Sequence, residues 1–351
     1  MENFLFAYSF LSKMGVNLKD IVSAKEIEID MLREKKLAID AFNTLYQFLT
    51  IIRQRDGTPL IDRKGRITSH LSGTFYRMIN LMNCGIKPCW VFDGEAPDFK
   101  KKTILEREER KKEAEEKYKE ALEKGKKEEL VLYAQQTARL SEEMIKDTKE
   151  LLSAMGIPFI QAPSEGEAMC AHLAKKKEVY ATVSQDYDSL LYGSPVLVRN
   201  LNITGKRKLP RKEVYIEIKP EKIELNELLK DLGIDQKQLI IIALLIGTDY
   251  NPGIKGIGPK KALEIIKKHR EIDKIMKEVK WEFEVPYEVL LDWFLNPKVS
   301  DDYKIEFKEI DKEKVKRILC DEHDFSEERV ENAISTIKKQ EGLEKWIKNK
   351  N

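Results

Sequence analysis

KLAID at residues 36–40, KPCWVFD at 87–93, IPFIQAPSEGE at 157–167 and VYATVSQDYD at 179–188 share one pattern: a short apolar run that closes on one or two acids. Runs of this length, separated by stretches with helical spacing, predict buried strands of a parallel sheet. The fold class is therefore α/β, a mostly parallel central sheet flanked by helices. In open sheets of this kind ligands bind beyond the carboxyl ends of the strands. Asp40, Asp93, Glu165, Glu167, Asp186 and Asp188 are thus expected to meet at one edge. Asp249, at the end of LIIIALLIGTDY (239–250), is the seventh acid of the set.

Seven carboxylates in one place repel one another unless some take up protons or a cation lies between them. Divalent metal is the economical solution, and oxygen-only ligands suit Mg²⁺, with Mn²⁺ able to substitute. Two such ions about 4 Å apart activate a water and stabilise the leaving oxygen in phosphodiester hydrolysis. Each acid also has a plainer reading. Ser164 and Glu167 have the spacing of a helix capping box, and Asp40 and Asp188 could cap the helices that follow them. Caps alone do not explain why successive strands all end in acids.

Composition narrows the alternatives. Lys plus Arg total 63 and Asp plus Glu 61, a net charge of +2, so attraction to a polyanion must come from local patches. The longest apolar run, 239–246, is far shorter than the ~20 residues of a membrane span. The first residues lack a basic leader and a cleavage site. A cytoplasmic, nucleoid-associated chain with no membrane partner is expected. The four cysteines form no C-x-x-C pair and the four histidines no H-x-x-x-H, which argues against zinc.

Two stretches supply positive charge. From Lys100 to Ser153 the chain turns to Lys and Glu with a thin apolar stripe, broken at Gly125, which predicts two solvated helices joined by a turn. An exposed hairpin and an arch over the acidic edge both fit, with Lys100 and Arg107 two turns apart on one face. In NPGIKGIGPKKAL (251–263), Gly253, Gly256 and Gly258 let backbone approach a phosphate, while Lys255, Lys260 and Lys261 add charge. This combination favours sequence-independent binding to a DNA backbone. Basic clusters at 100–102 and 206–212 extend the track.

AIDAFNTLYQFL, TSHLSGTFYR through GIKPCWVFDG, APSEGEAMCAHLA, SQDYDSLLYGSPVLVRNL and LIGTDYNPGIKGIGPKKAL together resemble the flap endonucleases of the structure-specific 5′-nuclease family, nearest the archaeal and eukaryotic enzymes. The resemblance covers nearly all of the chain from Met14 onward. It implies a PIN-like 5′-nuclease fold with an inserted helical arch and a C-terminal helix-two-turn-helix region. It also implies hydrolysis near the base of a 5′ flap in replication and repair, as in Okazaki fragment maturation, together with 5′–3′ exonuclease action. The family's metal ligands fall on the same seven acids. Lys100 and Arg107 match its basic pair at the scissile phosphate, and Tyr46 matches an aromatic that stacks on an unpaired nucleotide. The glycine loop matches a helix-two-turn-helix that holds K⁺ against the duplex, so flap and nicked junction DNA are the implied partners. Gln340, Leu343, Trp346 and Ile347 resemble the peptide that docks on the ring-shaped sliding clamp (PCNA), with Ile347 in place of the second aromatic. A monomer is expected.

The resemblance divides the chain into an extension at 1–13, a nuclease core at 14–240 with gateway and arch at about 98–153, a helical region at 241–335 packed on it, and a tail at 336–351. Relatives begin with Met-Gly, here Met14-Gly15, and an uncut extension at that point could disturb the acidic centre. Two other classes compete. A haloacid-dehalogenase-type phosphatase would use Asp186 and Asp188 as its D-x-D, although such enzymes carry that pair on their first strand. A non-catalytic junction-binding module would have no need to keep all seven acids.

Overall fold

The computed structural model describes residues 15–54, 57–100, 103, 105, 108, 109, 112–117, 120, 139–203, 205–208, 215–269 and 271–348, with backbone alone for 203, 205–208, 215, 216 and 338–348. In chain order the strands are β1 (Lys25–Glu26), β2 (Lys36–Asp40), β3 (Lys87–Phe92), β4 (Phe159–Gln161), β5 (Ala181–Val183), β6 (Val196–Arg199), β7 (Gly205–Lys208), β8 (Tyr215–Ile218) and β9 (Glu221–Glu224). The helices used below are α1 (Ala41–Ile51), α2 (Ser69–Asn83), α3 (Glu142–Ala154), α4 (Gly166–Lys175), α5 (Asp188–Leu191), α6 (Leu225–Leu232), α7 (Gln236–Ile246), α8 (Pro259–His269), α9 (Ile272–Val279), α10 (Tyr287–Leu295), α11 (Lys312–Lys316) and α12 (Glu327–Lys348).

Seven strands form one sheet in the order β1-β9-β6-β5-β2-β3-β4. The four runs that close on acids are β2, β3, β4 and β5, adjacent and mutually parallel. The chain leaves β2 towards β3 and β4, then returns to the other side of β2 as β5. That reversal opens a crevice beyond the ends of β2 and β5. At the far edge β9 pairs antiparallel with β6, and β1 with β9. A separate antiparallel hairpin joins β7 and β8.

Alternation along the central strands explains why both faces are covered. Leu37, Ile39, Trp90 and Phe92 bury into a layer built by α1, α2 and α3, with α11 and α12 closing its outer side. Ala38, Cys89 and Val91 face the opposite way, against Met169, Cys170 and Leu173 of α4. A further core forms around α7, whose residues Leu239 to Leu245 are all buried among side chains of α5, α6, α8, α9 and α10. Such an all-apolar helix must be surrounded on every side. Asp235 and Gln238 start it with a reciprocal capping box. The expected division at 240/241 falls inside α7, because the helix is one packing unit with both sides. The C-terminal helices α11 and α12 pack on the layer of α1–α3.

Between 100 and 153, residues 112–117 are helical and α3 begins at Glu142, capped by Ser141, whose hydroxyl accepts from the Met144 N–H. The predicted turn at Gly125 lies outside the described residues, as does Arg107. Residues 1–14, with the expected extension, also lie outside them. No helix among the described residues is long and apolar enough to cross a membrane.

Candidate active site

Each strand hands its acids to the crevice by a different device. Asp40 ends β2 and caps α1, its Oδ1 accepting from the Asn43 N–H at 3.1 Å. Asp93 follows β3 and accepts from the Gly166 N–H at 2.8 Å, at the positive end of α4. A Cβ on Gly166 would lie 2.4 Å from that carboxylate oxygen, so glycine is required for the approach. Glu165 stands at the N-cap of α4 without making a cap bond, and Glu167 lies in its first turn. The Ser164–Glu167 capping box does not form: the Ser164 hydroxyl donates to the Glu95 carbonyl. Asp188 opens α5 but serves the N-terminal segment, its Oδ1 accepting from the Val16 N–H at 2.8 Å. Asp249, just past α7, accepts from the Gly15 N–H at 3.2 Å.

The acids feel one another strongly. Burial pushes Asp40 up to about 6, with Glu165 adding to the rise and Lys100 opposing it. Burial and Asp249 push Asp188 up to about 7. Asp93 is held well above the usual carboxylate range by burial and by Asp40 and Glu165. Burial together with Asp188, Asp40 and Asp186 does the same to Glu167, and burial with Asp188, Asp249 and Asp40 to Asp186. All seven acids therefore belong to one electrostatic basin. Among the described residues no three of these side chains close on a single point as they stand. The Lys100 ammonium enters among them, 2.6 Å from Glu165 Oε2 and 3.8 Å from Asp249 Oδ2. Burial works against its charge, but Glu165, Asp249 and Asp93 outweigh it and keep Lys100 protonated.

An aromatic seam fixes the turn that carries Lys100. Phe99 packs edge-on against Tyr250, which follows Asp249, and against Trp293 of α10, at centroid distances of 5.3 and 5.2 Å. The Tyr250 and Tyr192 hydroxyls are 2.6 Å apart behind it.

The donor set suits a hard divalent cation. It is all oxygen, and Glu167 Oε1 is buried without a hydrogen-bond partner, a costly state for a carboxylate unless a cation takes it. Gly15, at φ +97°, lies where a Cβ would be 2.9 Å from Asp186 Cγ, so the N-terminal segment closes over the basin.

Tyr46 is half-buried on α1, six residues beyond Asp40. Away from the acids, the segment between α7 and α8 leaves Lys255, Gly256, Gly258, Lys260 and Lys261 exposed, with Gly253 half-buried. A Cβ at Gly256 or Gly258 would meet nothing within 4 Å, so the backbone is open to a large ligand. Of the cluster at 206–212, the described part is the backbone of β7. Gln340, Leu343, Trp346 and Ile347 of the tail fall on the backbone of α12, which stays helical to Lys348.

Sequence reasoning missed Asn43 and Arg199. Asn43 Nδ2 donates to Asp186 Oδ2 at 2.8 Å, and Arg199 Nε donates to the Gln185 carbonyl at 3.0 Å. Neither matches a motif by spacing. The one signal for Asn43 was a polar residue in the first turn after an acid-tipped strand.

The family models for the XPG N-terminal domain and the XPG I-region match residues 13–114 and 156–249, which hold all seven acids. The chain is 57% identical over 341 residues to Flap endonuclease 1 of Thermococcus onnurineus, covering 95% of this chain and 99% of that protein. This chain belongs to the flap endonuclease family. Flap endonuclease 1 of Pyrococcus furiosus is 57% identical over 343 residues, covering 95% of this chain and all of that one. Among solved structures, the flap endonuclease of Methanococcus jannaschii superposes with a TM-score of 0.73 at 44% identity, over 94% of this chain and 100% of that one. The Rad2 catalytic core in complex with DNA substrate gives 0.65 at 27%, over 90% and 96%. The flap endonuclease fold thus extends over nearly the whole chain. In it the D-x-D of 186–188 sits on the late strand side of the crevice, as one part of a larger acidic set, which disfavours the phosphatase reading.

Proposed function

We propose that this flap endonuclease hydrolyses one phosphodiester near the base of a 5′ flap, with Mg²⁺ as its metal, two ions held by Asp40, Asp93, Glu165, Glu167, Asp186, Asp188 and Asp249. Mn²⁺ substitutes. The observation that carries this reading is the mutual electrostatic reach of seven acids around the ends of four adjacent parallel strands, with Glu167 Oε1 buried without a hydrogen-bond partner. Bound there, paired dications supply an activated water and charge stabilisation at the leaving oxygen.

The remaining work falls to the chain itself. Lys100 and Arg107 hold the scissile phosphate by charge, Lys100 from a turn locked by Phe99. Tyr46 stacks on the unpaired nucleotide at the junction. The exposed backbone and lysines of 253–261 grip the duplex without reading bases, and the same loop would hold K⁺, which would add positive charge on the side of the duplex. Because unpairing is cheapest at a junction, shape selects the substrate and sequence preference is small. The same site removes nucleotides from a recessed 5′ end. The chain acts as a monomer in replication and repair, and Gln340, Leu343, Trp346 and Ile347 dock it on the sliding clamp.

A 5′-labelled flap DNA and a small phosphate ester, each incubated with Mg²⁺ and with excess chelator, test the reading. Cleavage of the flap alone, abolished by chelation, is expected; turnover of the ester alone would select a phosphatase, and binding without cleavage a junction module. Two smaller effects follow from the chain ends. A form starting at Gly15 is expected to cleave at least as fast as the full chain, since its free amine would sit where Gly15 N now meets Asp249; markedly slower cleavage would count against that. Truncation after Lys339 is expected to remove stimulation by the clamp, measured as the ratio of rates with and without it.

A further inference from the structure

We infer that Asn43 is a positioning residue that sets the Asp186 carboxylate for metal and locks it to Asp40 across the crevice. The inference rests on the metal reading above. Asn43 stands where β2 passes into α1, beside β5, and is almost fully buried. Its backbone N–H donates to Asp40 Oδ1 at 3.1 Å, a bond any residue there could make. Its side chain does something else. Nδ2 donates to Asp186 Oδ2 at 2.8 Å, while Oδ1 accepts from the Gln185 N–H at 3.1 Å. An amide can satisfy both only in one orientation, because one end must donate and the other accept.

The opposite side of the same loop is held by Arg199 of β6. Its Nε donates to the Gln185 carbonyl at 3.0 Å and its Nη1 to the Tyr187 hydroxyl at 2.7 Å, with the guanidinium 4.2 Å from the Tyr187 ring centroid. Glu221 Oε2 anchors that guanidinium at 3.2 Å. Gln185 is thus held through its N–H by Asn43 and through its carbonyl by Arg199, with Asp186 next in line. Asn43 takes one lone pair of Asp186 Oδ2 and so fixes the carboxylate's plane, leaving its remaining lone pairs for a cation. A ligand whose rotamer is set before metal arrives pays less to bind it, and partners of this kind are typically worth about 10- to 100-fold in metal affinity or activity.

Asn43→Leu keeps the shape and removes both side-chain bonds; Asn43→Ala is the second variant in case leucine packs badly. Mn²⁺ binding to the full-length protein is measured by calorimetry without DNA. Unfolding in chelator and affinity for flap DNA in chelator are measured in parallel. The expected result is Mn²⁺ affinity about 10- to 100-fold weaker in either variant. Flap affinity in chelator stays unchanged, and the lost cleavage rate recovers as Mg²⁺ is raised. A merely structural role would not be relieved by metal. Wild-type Mn²⁺ affinity in a folded variant would overturn the assignment of Asn43 alone. Failure of the wild-type chain itself to bind Mn²⁺ would overturn the metal reading, and this assignment with it.

Discussion

Asp186→Asn is expected to cut flap cleavage by about 10³-fold or more at saturating Mg²⁺, a loss of ~4 kcal/mol in transition-state stabilisation, while leaving flap binding intact. The asparagine retains the shape and an oxygen that can accept from Asn43, so the loop from Gln185 to Tyr187 keeps its anchors on Asn43 and Arg199. What disappears is one negative charge at the point where the fields of Asp188, Asp249 and Asp40 meet. The same loss has an opposite effect on the fold. Burial and those three neighbours disfavour the Asp186 carboxylate, so removing it relieves strain stored for function. In chelator the variant is therefore expected to unfold at a higher guanidinium concentration than wild type. Single-turnover rates, flap affinity in chelator and unfolding midpoints check the three parts. A rate within tenfold of wild type would remove Asp186 from the chemistry. A loss of flap binding as large as the loss of rate would make its role one of architecture.

That trade explains which parts of the molecule were legible in its sequence. Strands β2, β3 and β5 lie inside the sheet and are buried on both faces, so they appear as unbroken apolar runs, while β4 closes the parallel edge with Ile160 buried and Gln161 exposed; their acids follow from the rule that such sheets bind ligands at their carboxyl ends. The antiparallel edge carries no such mark. Lys25–Glu26 and Glu221–Glu224 are short and charged; the second becomes a strand because β6 offers a ladder, and the first because the second then does. Capping signals were legible but ambiguous: Asp40 does cap α1, whereas Ser164 turns away to Glu95 and frees Glu167 for the basin. Asn43 and Arg199 were silent because their meaning is tertiary. They lie more than 150 residues apart in sequence and meet through Gln185. The seam of Phe99, Tyr250 and Trp293 was equally silent, since aromatic residues at such separations read as ordinary core.

Lys100→Met carries the other large effect, because it separates two kinds of positive charge in the same basin. The Lys100 and Glu165 side chains are only 14% and 12% exposed, so removing the ammonium leaves a nearly buried carboxylate without its partner. Such a loss costs about 3–5 kcal/mol, and unfolding in chelator is expected to show a deficit of that order. Methionine keeps an unbranched apolar stem of similar length, so packing changes little, while the ammonium's approach to the Tyr250 ring, 5.8 Å from its centroid, is lost with the charge. Raising Mg²⁺ is expected to shrink the stability deficit, since added cation offsets the same surplus of negative charge. Cleavage should respond differently. A donor fixed by the Phe99 seam at one position contributes about 10²–10³ to the rate, and a mobile ion cannot replace it at that atom. Arginine is expected to restore the stability and only part of the rate, because its planar fork cannot place a point charge 2.6 Å from Glu165 and 3.8 Å from Asp249 at once. If rate and stability recovered together with Mg²⁺, Lys100 would be a counter-charge for the acids alone. If the rate of Lys100→Met equalled wild type throughout, the ammonium would have no part in holding the phosphate.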